Sequence, residues 1–508
     1  MKNIFLLLAL ASFNFFACQE EISVTEQLPH FQAVAKDENA GDWTPILPIT
    51  VYLIAPDDVQ SVAYQAELAS IKQMQANLTV EQREIIKFWD GGGSLRWNQI
   101  LRELVAKNNL PPAPNADNTY PAPDANNPFN YPIFPFANPP YTCRSFSYFC
   151  AAQYEALQKA WHFKFLYNRA SPAMNDSGIE ALMGNTNLPS YPSEEGVMAS
   201  VAEKALKLLF PADSAKIYQY ATDQRNAAIW SGKASPSDVA AGNSIGNAVC
   251  AEFISRAKTD GMKTAGGNPT LWQALADSSI AKGQIPWTSL ESPARPPMLP
   301  FYGGIKCWFM TSDQMFAVRP APPYPTNSPE MAAQVAEVKK YAKEITRERL
   351  AIVHKWADGV GTYTPPGHWN DIAAEYLIDA AWSEVRTARA LAYLNIAIHD
   401  AGVACWETKF YYFNPRPTNM DAEIKTSTGI PNFPAYTSGH STFSAAGANV
   451  LGYLFPTQAA YFDNEALQAS NSRLYGGIHY RQDCVEGLEH GKRVSNFTID
   501  FAKADGAN

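Results

Sequence analysis

One part of this chain repeats another. Shifting the 508-residue sequence by 245 positions lays residues 161–261 on residues 406–506 without a gap, and 29 of the aligned pairs are identical. Trp161 falls on Trp406, Lys164 and Phe165 on Lys409 and Phe410, and Gly242 and Gly246 on Gly487 and Gly491. Leu209-Phe210-Pro211 meets Leu454-Phe455-Pro456 in the same register. A gapped echo lies upstream, where the stretch from Trp89 to Ile100 looks like that from Trp356 to Ile372. Duplication on this scale implies two similar units packed together, since homologous units bury equivalent apolar faces.

Periodicity says what the units are. Apolar residues recur at helical spacing, as in Met331, Val335, Val338, Ala342 and Ile345, or in Leu377, Ala381, Val385, Ala388 and Leu391, while strand-like alternation is scarce. The expected class is all-α, two duplicated helical bundles. Asn109 to Tyr141 is rich in proline and asparagine and reads as a long surface loop; Ile285 to Pro325 reads as a separator. A net charge of −9 with no Lys/Arg run argues against a nucleic-acid partner. After the N-terminus no apolar run is long enough to span a bilayer.

The first residues, MKNIFLLLALASFNFFACQE, have the form of an export signal: Lys2, an apolar stretch from Ile4 to Ala11, and a small residue, Ala17, before Cys18. Phe-Phe-Ala-Cys resembles a bacterial lipobox, which makes Cys18 a candidate lipidation site and the chain an exported lipoprotein of the cell envelope or periplasm, anchored in the outer membrane. An ordinary secretory peptide is the other reading. An oxidising compartment permits disulfides among Cys143, Cys150, Cys250, Cys307, Cys405 and Cys484, and the short loop between Cys143 and Cys150 favours that pair.

The repeat also separates packing from chemistry. Positions shared by both copies, such as the paired glycines, are most simply packing and turn positions. Arg416, Gly439, His440, Arg473 and His479 of the second copy face Ser171, Glu194, Glu195, Ala228 and Ala234 of the first. The first copy thus lacks the cations and imidazoles, places two carboxylates among them, and keeps Lys164 as its only expected cation there. The division that follows is residues 1–17 as signal, 18–80 as tether and first helix, 81–261 as a degenerate bundle, 262–347 as connector and 348–506 as the catalytic bundle.

The second copy's distinctive residues lie in KFYYFNPRP (Lys409 to Pro417), TSGHS (Thr437 to Ser441) and SRLYGGIHYRQD (Ser472 to Asp483). Two arginines and a lysine around a Ser-Gly-His turn suit an oxyanion, because guanidinium forks and an ammonium match its oxygens in charge and geometry. Ser438 and Gly439 precede an apolar helical run, so backbone N–H groups and the positive end of a helix dipole would complete the cradle.

These three segments resemble the signature of the type 2 phosphatidic acid phosphatase and vanadium haloperoxidase superfamily, in which Lys-x6-Arg-Pro, Ser-Gly-His and Arg-x5-His-x3-Asp segments surround phosphate or vanadate. The spacings Lys409 to Arg416, Arg473 to His479 and His479 to Asp483 fit; Thr437 departs, standing where members commonly have proline. The resemblance covers Trp356 to Asp505 and implies that Lys409, Arg416 and Arg473 bind equatorial oxygens with help from Ser438 and the Gly439 N–H. His479 would be the axial group, bound to vanadium in a haloperoxidase or attacking phosphorus in a phosphatase, and His440 the acid–base group. Asp483 either orients His479 or caps its helix, since Asp238 survives in the copy without the histidine. Asp358 matches a family carboxylate that pairs with the second arginine, and Trp406 and Phe433 complete the surroundings.

Trp406 three residues before Lys409, Phe433 in FPAYTSGHS and the duplicated body resemble the haloperoxidase branch, which oxidises halide with hydrogen peroxide at vanadate. A phosphatase acting on phosphate monoesters or lipid phosphates is the alternative. Either way the partners are small molecules, with a membrane touched only through the lipid anchor. Neither a glycine-rich nucleotide loop nor a zinc-ligand spacing occurs. His162, His354 and His399 read as core or surface histidines, His368 as a loop residue near the pocket mouth, and His490 has no assigned role.

Overall fold

A computed structural model describes residues 27–110, 114–120 and 139–507. The expected export signal, Cys18 and most of the loop from Asn109 to Tyr141 lie outside these residues. Among the described residues every regular element is helical. The first bundle is built on α1 (Gly93–Asn108), α2 (Pro139–Tyr167), α3 (Glu194–Leu209), α4 (Ser214–Trp230) and α5 (Pro236–Lys258). The second has α6 (Thr364–Ala380), α7 (Glu384–Tyr412), α8 (Gly439–Leu454), α9 (Ala459–Tyr475) and α10 (Arg481–Ala504). Helices α2, α3 and α4 start and stop 245 residues before α7, α8 and α9, so the repeat in sequence is a repeat of elements.

Local chemistry sets these boundaries in both copies alike. Ser193 and Ser438 adopt extended backbone, and their hydroxyls accept from the N–H groups of Gly196 (3.2 Å) and Ser441 (3.4 Å), capping α3 and α8. At the other end Pro211 and Pro456 stop both helices, having no N–H to continue the ladder.

The two longest helices, α2 and α7, each about 43 Å long at 1.5 Å per residue, lie against one another at the centre, and both bundles share one apolar core. Within each bundle small residues bring helices close. A Cβ on Gly242 of α5 would stand 2.3 Å from Ser193 O, and one on Gly491 of α10 would stand 2.2 Å from Thr442 O. The shared glycines are packing positions, as the repeat implied.

Two expectations are corrected. The apolar spacing from Leu377 to Leu391 spans two helices: α6 ends, Ala381 turns left-handed at φ 45°, and Ser383 caps α7. Both sides bury, so the pattern runs across a break it cannot signal. Cys143 and Cys150 are not paired; the six cysteines of the described residues are free thiols. Both sit on α2, where seven residues put them about 10 Å apart along the axis, beyond the reach of a disulfide.

Candidate active site

One end of the second bundle gathers residues that are far apart in sequence. Lys409 comes from the last turn of α7, Arg416 precedes the short helix Pro417–Met420, Ser438 to His440 form the start of α8, and Arg473 ends α9. His479 lies just before α10 and Asp483 in its first turn. Lys409, Arg416, Ser438, Arg473 and His479 are all buried.

The ring of His479 is held from both sides. Its Nδ1 lies 2.9 Å from Asp483 Oδ2 and its Nε2 2.9 Å from Arg416 Nη1. Burial, then the charges of Arg416, Lys409 and Arg473, push its pKa well below the ordinary histidine value, so the imidazole is neutral. With Nδ1–H donating to Asp483, the lone pair sits on Nε2, where Arg416 donates. Asp483 Oδ2 also accepts the Tyr480 N–H at 3.1 Å, so orienting the histidine and capping α10 are one geometry. In the first bundle Asp238 keeps the cap, accepting the Ser235 N–H at 2.6 Å, and pairs with Arg169. That is why the aspartate survives without a histidine.

Three buried cations surround this ring with no carboxylate in ion-pair contact with them among the described residues. Lys409 spends its donors on carbonyls, Pro434 O at 3.0 Å, Ala435 O at 2.9 Å and Thr437 O. Arg416 donates through Nε to Phe433 O and through Nη1 to Ile478 O, both at 2.9 Å, and its buried Nη2 has no partner. Arg473 donates to the Ser472 hydroxyl at 2.8 Å and to Trp356 O. Burial lowers all three pKa values, bringing each arginine to about 10. The Phe433 ring lies 5.1 Å from Lys409 Nζ and 5.0 Å from Arg416 Cζ, and Trp406 lies 4.8 Å from Phe433. Packing does not demand glycine at position 439, where a Cβ would meet nothing closer than 3.4 Å.

A second histidine stands across from the ring. His440 Nε2 lies 3.5 Å from Asp358 Oδ2, without the angles of a hydrogen bond, and Asp358 Oδ1 lies 3.0 Å from His368 Nδ1. Burial, then Arg473, brings His440 down to about 4 against the opposing pull of Asp358. Burial pushes Asp358 up, yet its hydrogen bond to His368 and the neighbouring imidazole of His440 hold it well below the carboxylate range. The expected pairing of Asp358 with Arg473 is not a hydrogen bond; the guanidinium reaches backbone carbonyls and acts on Asp358 through charge alone.

His368 is not a loop residue. It lies in the second turn of α6, whose Thr-Pro-Pro start is a helix signal that proline's fixed φ supplies. His399 is buried with Nδ1 3.0 Å from Asp400, and His162 and His354 are exposed, as read from sequence. His490 is buried with no partner for either nitrogen, and burial takes it down to about 3.

The equivalent place in the first bundle is self-neutralised. Glu194 stands 2.5 Å from Lys164 Nζ and 3.1 Å from Lys233 Nζ, and Glu195 2.5 Å from Lys233. Ala228 and Ala234 pack with Val239 where the second bundle has Arg473 and His479. Lys164 is therefore not the only cation there. Lys233 and Arg169 face Ile478 and Asn414 of the second copy, so comparing the copies only at the second's cations hides them.

Residues 389–504 match the model of the PAP2 superfamily. That span lies wholly within the second bundle. Over 199 residues the chain is 29% identical to the vanadium chloroperoxidase of Curvularia inaequalis, a match covering 31% of this chain and about a third, 32%, of that protein's length. The fold of this chain is similar to that of a bacterial vanadium-dependent iodoperoxidase, with a TM-score of 0.52 at 21% identity over 71% of this chain and 91% of the other. The apo form of a bacterial vanadium-dependent chloroperoxidase gives a TM-score of 0.53 at 13% identity over 72% and 95%. The PAP2 match covers α7 to α10 from Arg389 onward, the helices that carry the cation cluster, while both structural likenesses reach well beyond it.

Proposed function

We propose that this chain is a vanadium-dependent haloperoxidase that binds vanadate in the second bundle and oxidises halide with hydrogen peroxide. The observation that carries this reading is a buried cluster of Lys409, Arg416 and Arg473, with no carboxylate in ion-pair contact among the described residues, around a neutral His479. The partnerless Arg416 Nη2 and the room at Gly439 fit a bound oxyanion. The long duplicated body, shared in fold with solved haloperoxidases, supports this branch over a compact phosphatase.

Arg416 and Arg473 would hold the oxygens in fixed forks, Lys409 would supply charge, and the N–H groups at the start of α8 would add donors. Lys409 must exchange one carbonyl to touch the anion. His479, aimed by Asp483, would hold the vanadate through Nε2. Bound vanadate supplies the Lewis acidity that activates peroxide. His440, the least buried of the histidines at the cluster, would accept a proton from hydrogen peroxide and give it back later in turnover.

The same geometry serves phosphoryl transfer, in which His479 Nε2 forms a bond to phosphorus as the ester P–O bond breaks. His440 protonates the leaving alkoxide, and water then cleaves the phosphohistidine. The orientation of Nε2 favours this second reading as much as the first. Halide-dependent bromination or iodination of a dye after reconstitution with vanadate tests the proposal; a reconstituted sample inert toward bromide and iodide would sink it.

The chain's export and lipidation at Cys18 belong to the same proposal, resting on the Phe-Phe-Ala-Cys segment. Metabolic labelling with a radioactive fatty acid, lost on Cys18→Ser substitution, tests it.

A further inference from the structure

The geometry points to His368 as a positioning residue that orients His440 through Asp358, an inference that rests on the proton-handling role proposed for His440. His440 and His368 keep 16% and 14% of their side chains exposed while the cations around them are buried, so this is the side on which the cluster meets solvent.

Asp358 is built into place. It sits in left-handed backbone at φ 44°, which a non-glycine residue adopts only when its surroundings impose it, and its carboxylate is 5% exposed. Its one hydrogen bond is the one to His368; Oδ2, turned toward His440, has none. Without His368 nothing among the described residues determines how that carboxylate is rotated.

His368 is itself held firmly. Its ring stacks on Trp356 at 4.2 Å and 21°, with the edge of Tyr363 at 6.3 Å. Tyr363 donates its hydroxyl to Asp371 at 2.9 Å, and Asp371 pairs with Arg102 of α1, so the first bundle braces the arrangement. Trp356 does double duty, since its carbonyl accepts from Arg473 while its ring supports His368. The charged and titratable groups facing His368 are thus Asp358 directly, with His440 and Arg473 beyond it, and Tyr363 with Asp371 and Arg102 on the other side.

The consequence lies in the tautomer of His440. A carboxylate facing Nε2 favours the proton on that nitrogen and leaves Nδ1 as the proton acceptor. His368, donating Nδ1–H to Oδ1, keeps Oδ2 aimed at His440 and so keeps Nδ1 available.

His368→Phe retains the stack and removes the donor, whereas His368→Asn restores an N–H at the place of Nδ1. Three measurements apply: histidine ¹⁵N shifts of the anion-free protein, calorimetric affinity for inorganic phosphate, and turnover in whichever of iodide oxidation or p-nitrophenyl phosphate hydrolysis the wild type performs. For His368→Phe the expected result is loss of the single Nε2–H tautomer at His440 and a fall in kcat of about 10- to 100-fold, the usual effect of removing an orienting partner. Phosphate affinity and KM should stay within about twofold, because no oxyanion contact has gone. His368→Asn should recover both tautomer and kcat. An unchanged tautomer in His368→Phe, affinity and kcat falling together, or an asparagine variant no better than phenylalanine would each overturn the proposal. If His368→Phe does not fold, Asp358→Asn gives the same readouts. The ¹⁵N measurement needs no turnover, so a wild type inert in both reactions would defeat the haloperoxidase reading and leave the tautomer result to decide this one.

Discussion

Arg416 Nη1 lies 2.9 Å from His479 Nε2, so the nitrogen that would bind vanadium or attack phosphorus is covered by a cation that the oxyanion itself would engage. An anion bound there would compete for the guanidinium and so uncover the lone pair. The two histidines should then separate cleanly by role. His479→Ala removes the axial bond and either activity, while His440→Ala leaves the anion bound and slows turnover by roughly 10²- to 10⁴-fold. Vanadate titration with parallel rate measurements checks this, and equal losses of vanadate affinity in both variants would show the roles are misassigned.

Anion affinity should fall as pH rises. Burial, then Arg473, takes His440 down to about 4, and burial also lowers Lys409. A bound anion favours the protonated forms and raises both pKa values, so binding takes up protons between the free and bound values. The sign is therefore tighter binding at lower pH, lost progressively above about 4. Sulfate keeps its charge over this range and reports the site alone; calorimetry from about pH 5 to pH 9 should show weakening affinity with net proton uptake. A flat profile would mean that these shifts play no part in binding.

Lys164 and Lys409 are repeat partners with opposite expected effects. Lys164 is buried against Glu194, so Lys164→Met leaves Glu194 and Glu195 sharing Lys233, an excess buried carboxylate that should cost up to about 3–5 kcal/mol of stability, with sulfate affinity unchanged. Lys409→Met should weaken sulfate binding by about 1.5–3 kcal/mol, the range for a hydrogen bond to a charged group. Denaturant titration and calorimetry on both variants decide it. A loss of sulfate affinity in Lys164→Met would reveal an anion site in the first bundle.

Much of this was legible in sequence because the repeat supplies its own control. Helices α2 to α4 and α7 to α9 share caps, proline stops and close-approach glycines, which local chemistry encodes and both copies retain. The Lys409, Arg416, Ser438, His440, Arg473 and His479 cluster stood out because the first copy lacks most of it. What escaped depends on tertiary contact. His368 matters through Asp358, ten residues away across a left-handed turn, and spacing along a helix does not report such a contact. Lys233 and Arg169 have uncharged counterparts and so fell outside a comparison made from the second copy's cations. The pairing of Cys143 with Cys150 failed because it assumed a loop where α2 runs straight.

The most direct test is one titration. Vanadate is added stepwise to the purified chain while iodide oxidation by hydrogen peroxide and hydrolysis of p-nitrophenyl phosphate are followed in parallel, with Lys409→Met as control. The expected result is halide oxidation that rises with vanadate, saturates, and is much weakened in Lys409→Met. Phosphate ester hydrolysis that vanadate inhibits, with no halide oxidation at any vanadate concentration, would contradict it and make the second bundle a phosphatase.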